Sequence, residues 1–194
     1  MGDELKDTAP AVVTPEKVSE YDRELLAKFR QEDTRNYAFN MLVREYQKRL
    51  YWHIRKILID HDDTNDVLQN VFVKVWRSLD GFKGESQLYT WLYRIATNES
   101  ITFLKRAGVP LDEASGFLGV SLQSDSHFKG DEIQAKLQQA VLTLPDKQRI
   151  VFNMKYFDNL RYEEMSTILE TSVGALKASY HHAVKKIESY LTKH

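Results

Sequence analysis

The chain has 194 residues, of which 42% are hydrophobic and 28% are charged, so it can form one ordinary domain or two small ones with modest cores. It contains no cysteine, which excludes disulfides and thiolate metal sites. The net charge of −1 argues against a stand-alone, non-specific nucleic-acid binder, because such proteins are usually more basic.

The N-terminal segment, residues 1–20, contains two prolines and no sustained apolar period, so we expect a mobile tail. It lacks a basic stretch followed by an apolar one, and no window of the chain approaches a membrane-spanning length of apolar residues. We therefore expect neither a secretory signal nor a membrane span, and a cytoplasmic location.

A first helical domain is predicted over residues 21–106. Its first long helix has apolar residues at steps of three and four; these are Phe39, Leu42, Val43, Tyr46, Leu50, Ile54, Ile57 and Leu58. The next helix is expected to open after residues 61–64, with Asp63 or Thr64 as its N-cap. Its core side is Val67, Leu68, Val71, Phe72, Val75, Trp76 and Leu79, and its opposite side is Asp66, Gln69, Asn70, Val73 and Arg77.

A loop with two glycines, residues 80–86, follows that helix. Ser86 is expected to cap a third helix, whose apolar positions are Leu88, Trp91, Leu92, Ile95 and Ile101. The glycines indicate a loop that can change shape, although a plain connector over a buried Trp91 would have the same pattern.

Residues 107–130 collect glycine, proline, serine and aspartate without helical periodicity, which predicts a flexible linker. Its apolar residues Phe117, Leu118, Val120 and Leu122 could dock in a groove on a partner.

A second helical domain is predicted over residues 131–194, with Pro145 at the first position of its second helix. A short helix over 161–169, a turn at 170–172 and a last helix give helix-turn-helix spacing.

The last helix has one apolar side, formed by Leu176, Tyr180, Ala183, Val184, Ile187 and Leu191. Its other side carries Gly174, Lys177, Ala178, His181, His182 and Lys185. Because residues 171–194 have four lysines and one glutamate, a local charge of +3, this helix could enter a DNA major groove.

Two motifs in this order, Asp66-x-x-Gln69-Asn70-x-Phe72 followed by TWLYRIATN at 90–98, precede the helix-turn-helix. Together they resemble the extracytoplasmic function (ECF) branch of the bacterial RNA polymerase sigma factors, over about residues 22–106 and 131–194. The resemblance implies an all-α transcription initiation factor with two small domains, which are sigma regions 2 and 4. It implies core RNA polymerase and promoter DNA as partners, an anti-sigma factor as inhibitor, no cofactor and no enzymatic activity.

The resemblance also implies residue roles. The helix with Asp66, Gln69, Asn70, Phe72 and Val73 would bind the clamp helices of core polymerase. Asn70 stands where an acidic residue is more frequent, which would replace a charge-assisted contact by a neutral one.

The loop and the following helix would capture an unpaired base of the −10 promoter element. The candidate residues are Ser78, Phe82, Lys83, Gly84, Glu85, Ser86, Arg94 and Asn98. A flipped base needs an apolar wall, polar groups for its edge and cations for its backbone; Phe82 would be the wall. Lys105 and Arg106 are further candidates for phosphate contacts.

The last helix would read the −35 element, with Gly174, Lys177, Ala178, His181, His182 and Lys185 as candidates. Glu170 occupies a position where a turn glycine is common, and His181 and His182 stand where arginine is frequent, so the family's base preference does not transfer. As a metal site the adjacent histidines are a poor chelate, since they point about 100° apart on a helix.

The alternatives to a sigma factor are a helix-turn-helix regulator that binds duplex DNA without polymerase, and a helical adaptor without DNA function.

Overall fold

The computed structural model describes residues 18–108 and 132–193, and its regular structure there is helical throughout, as the sequence predicts. The helices are α1 Glu20–Phe29, α2 Arg35–Leu58, α3 His61–Ser78, α4 Leu88–Arg106, α5 Glu132–Leu142, α6 Asp146–Tyr156, α7 Tyr162–Leu169 and α8 Val173–Lys193. Short 3-10 turns lie at Glu32–Thr34 and Leu79–Gly81. Nearly all of the predicted tail and linker lie outside the described residues.

Helices α1–α4 pack around α2, whose buried face includes Leu42, Leu50 and Ile54. The cap of α3 differs from the prediction. Asp60, one residue before the helix, accepts hydrogen bonds from the backbone N–H groups of Asp62 and Asp63 at 2.8 and 2.9 Å. Thr64 is already inside the helix and fully buried.

The start of α4 also differs from the prediction. Gln87 is the N-cap residue and makes no side-chain cap bond. The hydroxyl of Ser86 donates to the Gln87 carbonyl at 3.2 Å. Ser86 lies one residue before the N-cap position, which is too early to reach the free N–H groups of the helix.

Helices α5–α8 form the second group, in which α5, α6 and α7 all pack on α8. Pro145 is the N-cap of α6 and not its first helical residue. Glu170 ends α7 in the left-handed region at φ 52, which explains why glycine would also suit that position.

The two groups of helices are in contact, α4 against α7 and α2 against α6. Buried residues of the second group, among them Ile150, Met154 and Met165, belong to the same apolar cluster as the core of α1–α4. Within the described residues, no helix has the length and apolar character needed to cross a bilayer.

Candidate polymerase and promoter interfaces

The outer face of α3 carries the first set of predicted site residues. Asp66, Gln69, Asn70 and Val73 are exposed, and Val73 keeps 44% of its surface open. Their spacing of three, one and three places them along one side of the helix. Phe72 is half-buried at the edge of this stripe, where its ring meets Phe39 of α2 at a centroid distance of 6.4 Å.

An open apolar groove runs beside this stripe, between α2 and α3, with a volume of about 590 Å³. Its lining consists of Phe39, Val43, Gln69, Phe72, Val73, Trp76 and Arg77. The groove has an apolar floor and a rim that can form hydrogen bonds, a combination that accepts a helix of another protein. The sequence pattern places Phe39, Val43 and Trp76 in the core and gives no sign that they also line a surface.

An aromatic cluster fixes the groove from behind. Trp76 makes edge-on contacts with Phe29 and Phe39 at centroid distances of 5.3 and 4.9 Å. The guanidinium of Arg35 lies 4.2 Å from the Phe29 ring centroid and pairs with Asp80 at 2.6 Å. These contacts tie α1, α2 and the end of α3 together, so the groove is preformed.

The N-terminal end of α3 is acidic. Burial and the neighbouring carboxylates Asp60, Asp66 and Asp62 raise the pKa of Asp63 above its ordinary value. These neighbouring carboxylates make the N-terminal end of α3 locally negative.

Seven of the eight predicted −10 residues are exposed or partly exposed. Ser78, Lys83, Glu85 and Asn98 are exposed, whereas Gly84, Ser86 and Arg94 are partly exposed. The loop passes through Gly84 in the left-handed region at φ 71, where glycine avoids strain.

The position of Phe82 differs from the prediction that its ring forms the apolar wall for a captured base. Its side chain is only 5% exposed, and its ring packs on Trp91 at a centroid distance of 5.4 Å. Burial of the apolar ring in the core is more favourable than its exposure on the loop, so Phe82 anchors the loop to the core. In this arrangement its ring is not available for stacking on a base.

Arg94 lies where α4 meets the second domain. Its guanidinium donates a hydrogen bond to Glu170 in the turn between α7 and α8. Nearby, the Tyr89 hydroxyl donates to Glu164 of α7. One of the predicted −10 residues, Arg94, is therefore hydrogen-bonded to the helix-turn-helix while it stays partly exposed.

The outer face of α8 carries the predicted −35 residues. All six are exposed, namely Gly174, Lys177, Ala178, His181, His182 and Lys185. A Cβ added at Gly174 would meet no atom within 4 Å, so packing does not require glycine at this position. The missing side chain leaves the helix backbone accessible there. The opposite face packs through Leu176, Ala183 and Ile187. Leu191, predicted on that apolar face, is 39% exposed near the end of the helix.

Comparison with known proteins finds family matches in two stretches of the chain. Residues 42–109 match the family model for sigma-70 region 2, and residues 134–187 match that for sigma-70 region 4. The RNA polymerase sigma-H factor of Pseudomonas aeruginosa is 31% identical over 184 residues, which cover 89% of this chain and 94% of that protein. The ECF RNA polymerase sigma-E factor of Escherichia coli K12 is 32% identical over 164 residues, 78% of this chain and 85% of that protein.

Solved structures share the fold. CnrH in complex with the cytosolic domain of CnrY superposes with a TM-score of 0.66 at 22% identity, over 89% of this chain and 97% of that one. The sigma factor RpoE of Bartonella quintana, in complex with the anti-sigma factor NepR, gives a TM-score of 0.63 at 19% identity, over 79% of this chain and 96% of that one. The chain therefore belongs to the ECF branch of the sigma-70 family and is an RNA polymerase sigma factor, not an enzyme.

Proposed function

We propose that this sigma factor divides its work among three surfaces: the α3 groove binds core RNA polymerase, the 78–98 segment captures a −10 base, and α8 reads the −35 duplex. The observation that carries the proposal is the exposure of three separate sets of polar residues on elements whose other faces are buried. We further propose that residues 21–106 and 131–194 act as the polymerase and −10 domain and the −35 domain.

The α3 groove suits a helical partner. Gln69 lies both on the stripe and in the groove lining, so its amide can bond a helix whose apolar side fills the space beside Phe72 and Val73. Asn70 sits next to it on the exposed side. Exposed amides and carboxylates at the rim would orient the partner, while burial of the valine and aromatic surface would supply affinity.

Capture of the −10 base would use the loop around Gly84 and the outer side of the middle of α4. Lys83, Arg94 and Asn98 offer two cations and an amide, which fit the backbone and the base edge of a single strand. With Phe82 in the core, the wall for the base would have to come from another apolar group or from movement of the loop.

Reading of the −35 duplex would use α8. Its small residues Gly174 and Ala178 allow close approach to the groove, and Lys177 and Lys185 can meet phosphates on either side. His181 and His182 can donate to or accept from base edges, which provides sequence selectivity different from that of an arginine pair.

We also propose a cytoplasmic location and an anti-sigma partner. The location follows from the work of a sigma factor on core polymerase and promoter DNA. The inhibitor is supported by the solved relatives, since CnrH is bound to CnrY and RpoE to the anti-sigma factor NepR.

Reconstituted transcription tests the proposal. The purified protein is mixed with sigma-free core polymerase from its own source, and run-off transcription is measured from the promoter upstream of its gene. A promoter-specific transcript that requires both components is expected. Failure to bind core, with intact helical structure and specific binding to duplex DNA alone, would overturn the proposal in favour of a polymerase-independent regulator.

A further inference from the structure

A cavity of about 350 Å³ is lined by residues from the end of α2, from α5 and from α6. At the packing density of protein interiors it has room for a molecule of about a dozen non-hydrogen atoms. Among the described residues that line it, none belongs to the proposed polymerase, −10 or −35 surfaces. The proposed function therefore assigns no role to this cavity.

The walls of the cavity combine apolar surface with positive charge. The apolar lining residues are Trp52, Ile59, Val141, Leu142 and Phe157. Arg55, Lys56 and Arg149 add three cations, and no carboxylate is found among the described residues of the lining. An apolar site with a few convergent groups of one charge fits a small ligand with an apolar body and an anionic head.

Arg149 is the most deeply buried of these cations, with 1% of its side chain exposed. Its Nη2 pairs with Asp146 at 2.6 Å and donates to the Ile57 carbonyl at 3.3 Å. Its Nε and Nη1 groups have no hydrogen-bond partner in the described part of the chain. Burial holds the pKa of Arg149 below its ordinary value, although the charge of Asp146 opposes this shift. An anionic acceptor at Nε and Nη1 would therefore be stabilised strongly.

Asn153 lies four residues after Arg149, so both side chains are on the same side of α6. Its Nδ2 donates to the Lys56 carbonyl at 3.1 Å, whereas its Oδ1 has no hydrogen-bond partner among the described residues. An N–H or O–H group next to the anionic head of a ligand would satisfy this oxygen. Arg149 and Asn153 together fit an acid with a hydrogen-bond donor beside its carboxylate.

The less buried side of the cavity is aromatic. The Phe157 ring is 43% exposed, and Nζ of Lys56 lies 5.4 Å from its centroid. Trp52 is half-buried and also lines the cavity. Ile59 ends α2 at φ 69, a conformation that β-branched residues rarely adopt and that occurs mostly at functional sites. Aromatic walls of this kind favour a planar ring in the ligand.

We propose that this cavity binds a small aromatic carboxylate that carries a hydrogen-bond donor next to its acid group. The carboxylate meets Nε and Nη1 of Arg149, with the positive charge of Arg55 in the same lining. The donor meets Oδ1 of Asn153, and the ring packs on the apolar lining residues.

Isothermal titration calorimetry of the full chain tests the site with three ligands of one shape. The probe is indole-2-carboxylate, whose ring N–H adjoins its carboxylate. Indole-2-carboxamide keeps the ring and its N–H but has no charge, and benzofuran-2-carboxylate keeps the charge but has no donor. The free protein is titrated, so the result does not depend on whether it binds polymerase or promoter DNA.

Indole-2-carboxylate is expected to bind one molecule per chain with a Kd on the order of 100 μM. The carboxamide should bind about tenfold more weakly and the benzofuran about fivefold more weakly. Equal affinity for all three ligands would indicate a non-specific apolar contact and would overturn the proposal, as would absence of binding by indole-2-carboxylate.

Two variants place the binding in this cavity. Arg149→Lys keeps a cation for Asp146 and removes the forked donor, and Leu142→Trp adds side-chain volume to the wall. Each should weaken binding of indole-2-carboxylate about tenfold. The matched control is Arg44→Lys, an exposed arginine of α2 outside the lining, which should bind like the unchanged chain. Circular dichroism checks that each variant is folded, and an unchanged affinity in a folded Leu142→Trp or Arg149→Lys variant would exclude the cavity as the site.

Discussion

The carboxylate of Asp158 accepts a hydrogen bond from the buried ring of His53 at 3.0 Å, although the two residues belong to different domains. Burial alone would raise the pKa of Asp158, but the bonds and charges of His53 and Lys56 outweigh it and lower the pKa below the ordinary value of 3.8. Tyr93 also faces this carboxylate and stays neutral, since burial raises its pKa to about 12.

The first prediction concerns pH. A carboxyl whose pKa is lowered by folding stabilises the protein above its unfolded pKa, and this stabilisation is lost as the pH falls through the folded pKa. Asp158→Asn should therefore lower the free energy of unfolding by about 2 kcal/mol at neutral pH. The difference from the unchanged protein should persist down to about pH 4 and shrink below it. Urea unfolding at a series of pH values measures it; a difference that grows on acidification would contradict the assignment.

The second prediction concerns core polymerase. Gln69→Ala combined with Asn70→Ala should weaken binding to core enzyme about tenfold, since two hydrogen-bonding side chains leave the rim of the groove. Both residues are exposed, so the free energy of unfolding should change by less than about 0.5 kcal/mol. The matched control is Gln31→Ala, an exposed glutamine in the turn after α1. Unchanged core affinity in the double variant would remove α3 from the interface.

The third prediction concerns the −35 element. Lys177→Ala and His182→Ala should each reduce initiation from promoters with this element and leave binding to core unchanged. The lysine variant should also flatten the salt dependence of promoter binding, because one phosphate contact is lost. Lys193→Ala, an exposed lysine near the end of the same helix, serves as the control. Equal activity of the variants on templates with and without the element would exclude α8 from its recognition.

The fourth prediction separates the two roles considered for Phe82. If the ring anchors the loop, Phe82→Ala should lower the free energy of unfolding by about 3 kcal/mol or more, as for other buried phenylalanines. Lys83→Ala, at the exposed neighbouring position, should leave stability unchanged and reduce promoter opening. Thermal unfolding and permanganate footprinting of the −10 region measure the two effects. A Phe82→Ala variant of normal stability would indicate an exposed ring.

Local patterns predict the helices and their exposed faces. The steps of three and four along α3 and α8 correctly separate Gln69 and Lys177 from the buried sides, because helical periodicity alone decides which residues face the core. The caps were wrong by one to a few residues. Several neighbouring polar residues could cap α3, and the backbone conformation of Asp60 decides among them.

Long-range contacts could not be predicted in the same way. Nothing near Asp158 in the sequence indicates a bond to His53, since the two are 105 positions apart and a turn aspartate is ordinary. The ring of Phe82 is buried against Trp91, and Leu191 is 39% exposed although it falls in the apolar period of its helix. Such features follow from the packing of whole elements, which periodicity does not describe.

The most direct test of the sigma factor assignment is a binding measurement on promoter DNA whose −10 region is already open, with and without core polymerase. For a sigma factor, tight and sequence-specific binding is expected only when core is present, with weaker binding when the −10 region is fully paired. Specific binding of the isolated protein to the fully paired promoter, with an affinity that core polymerase does not change, would contradict it.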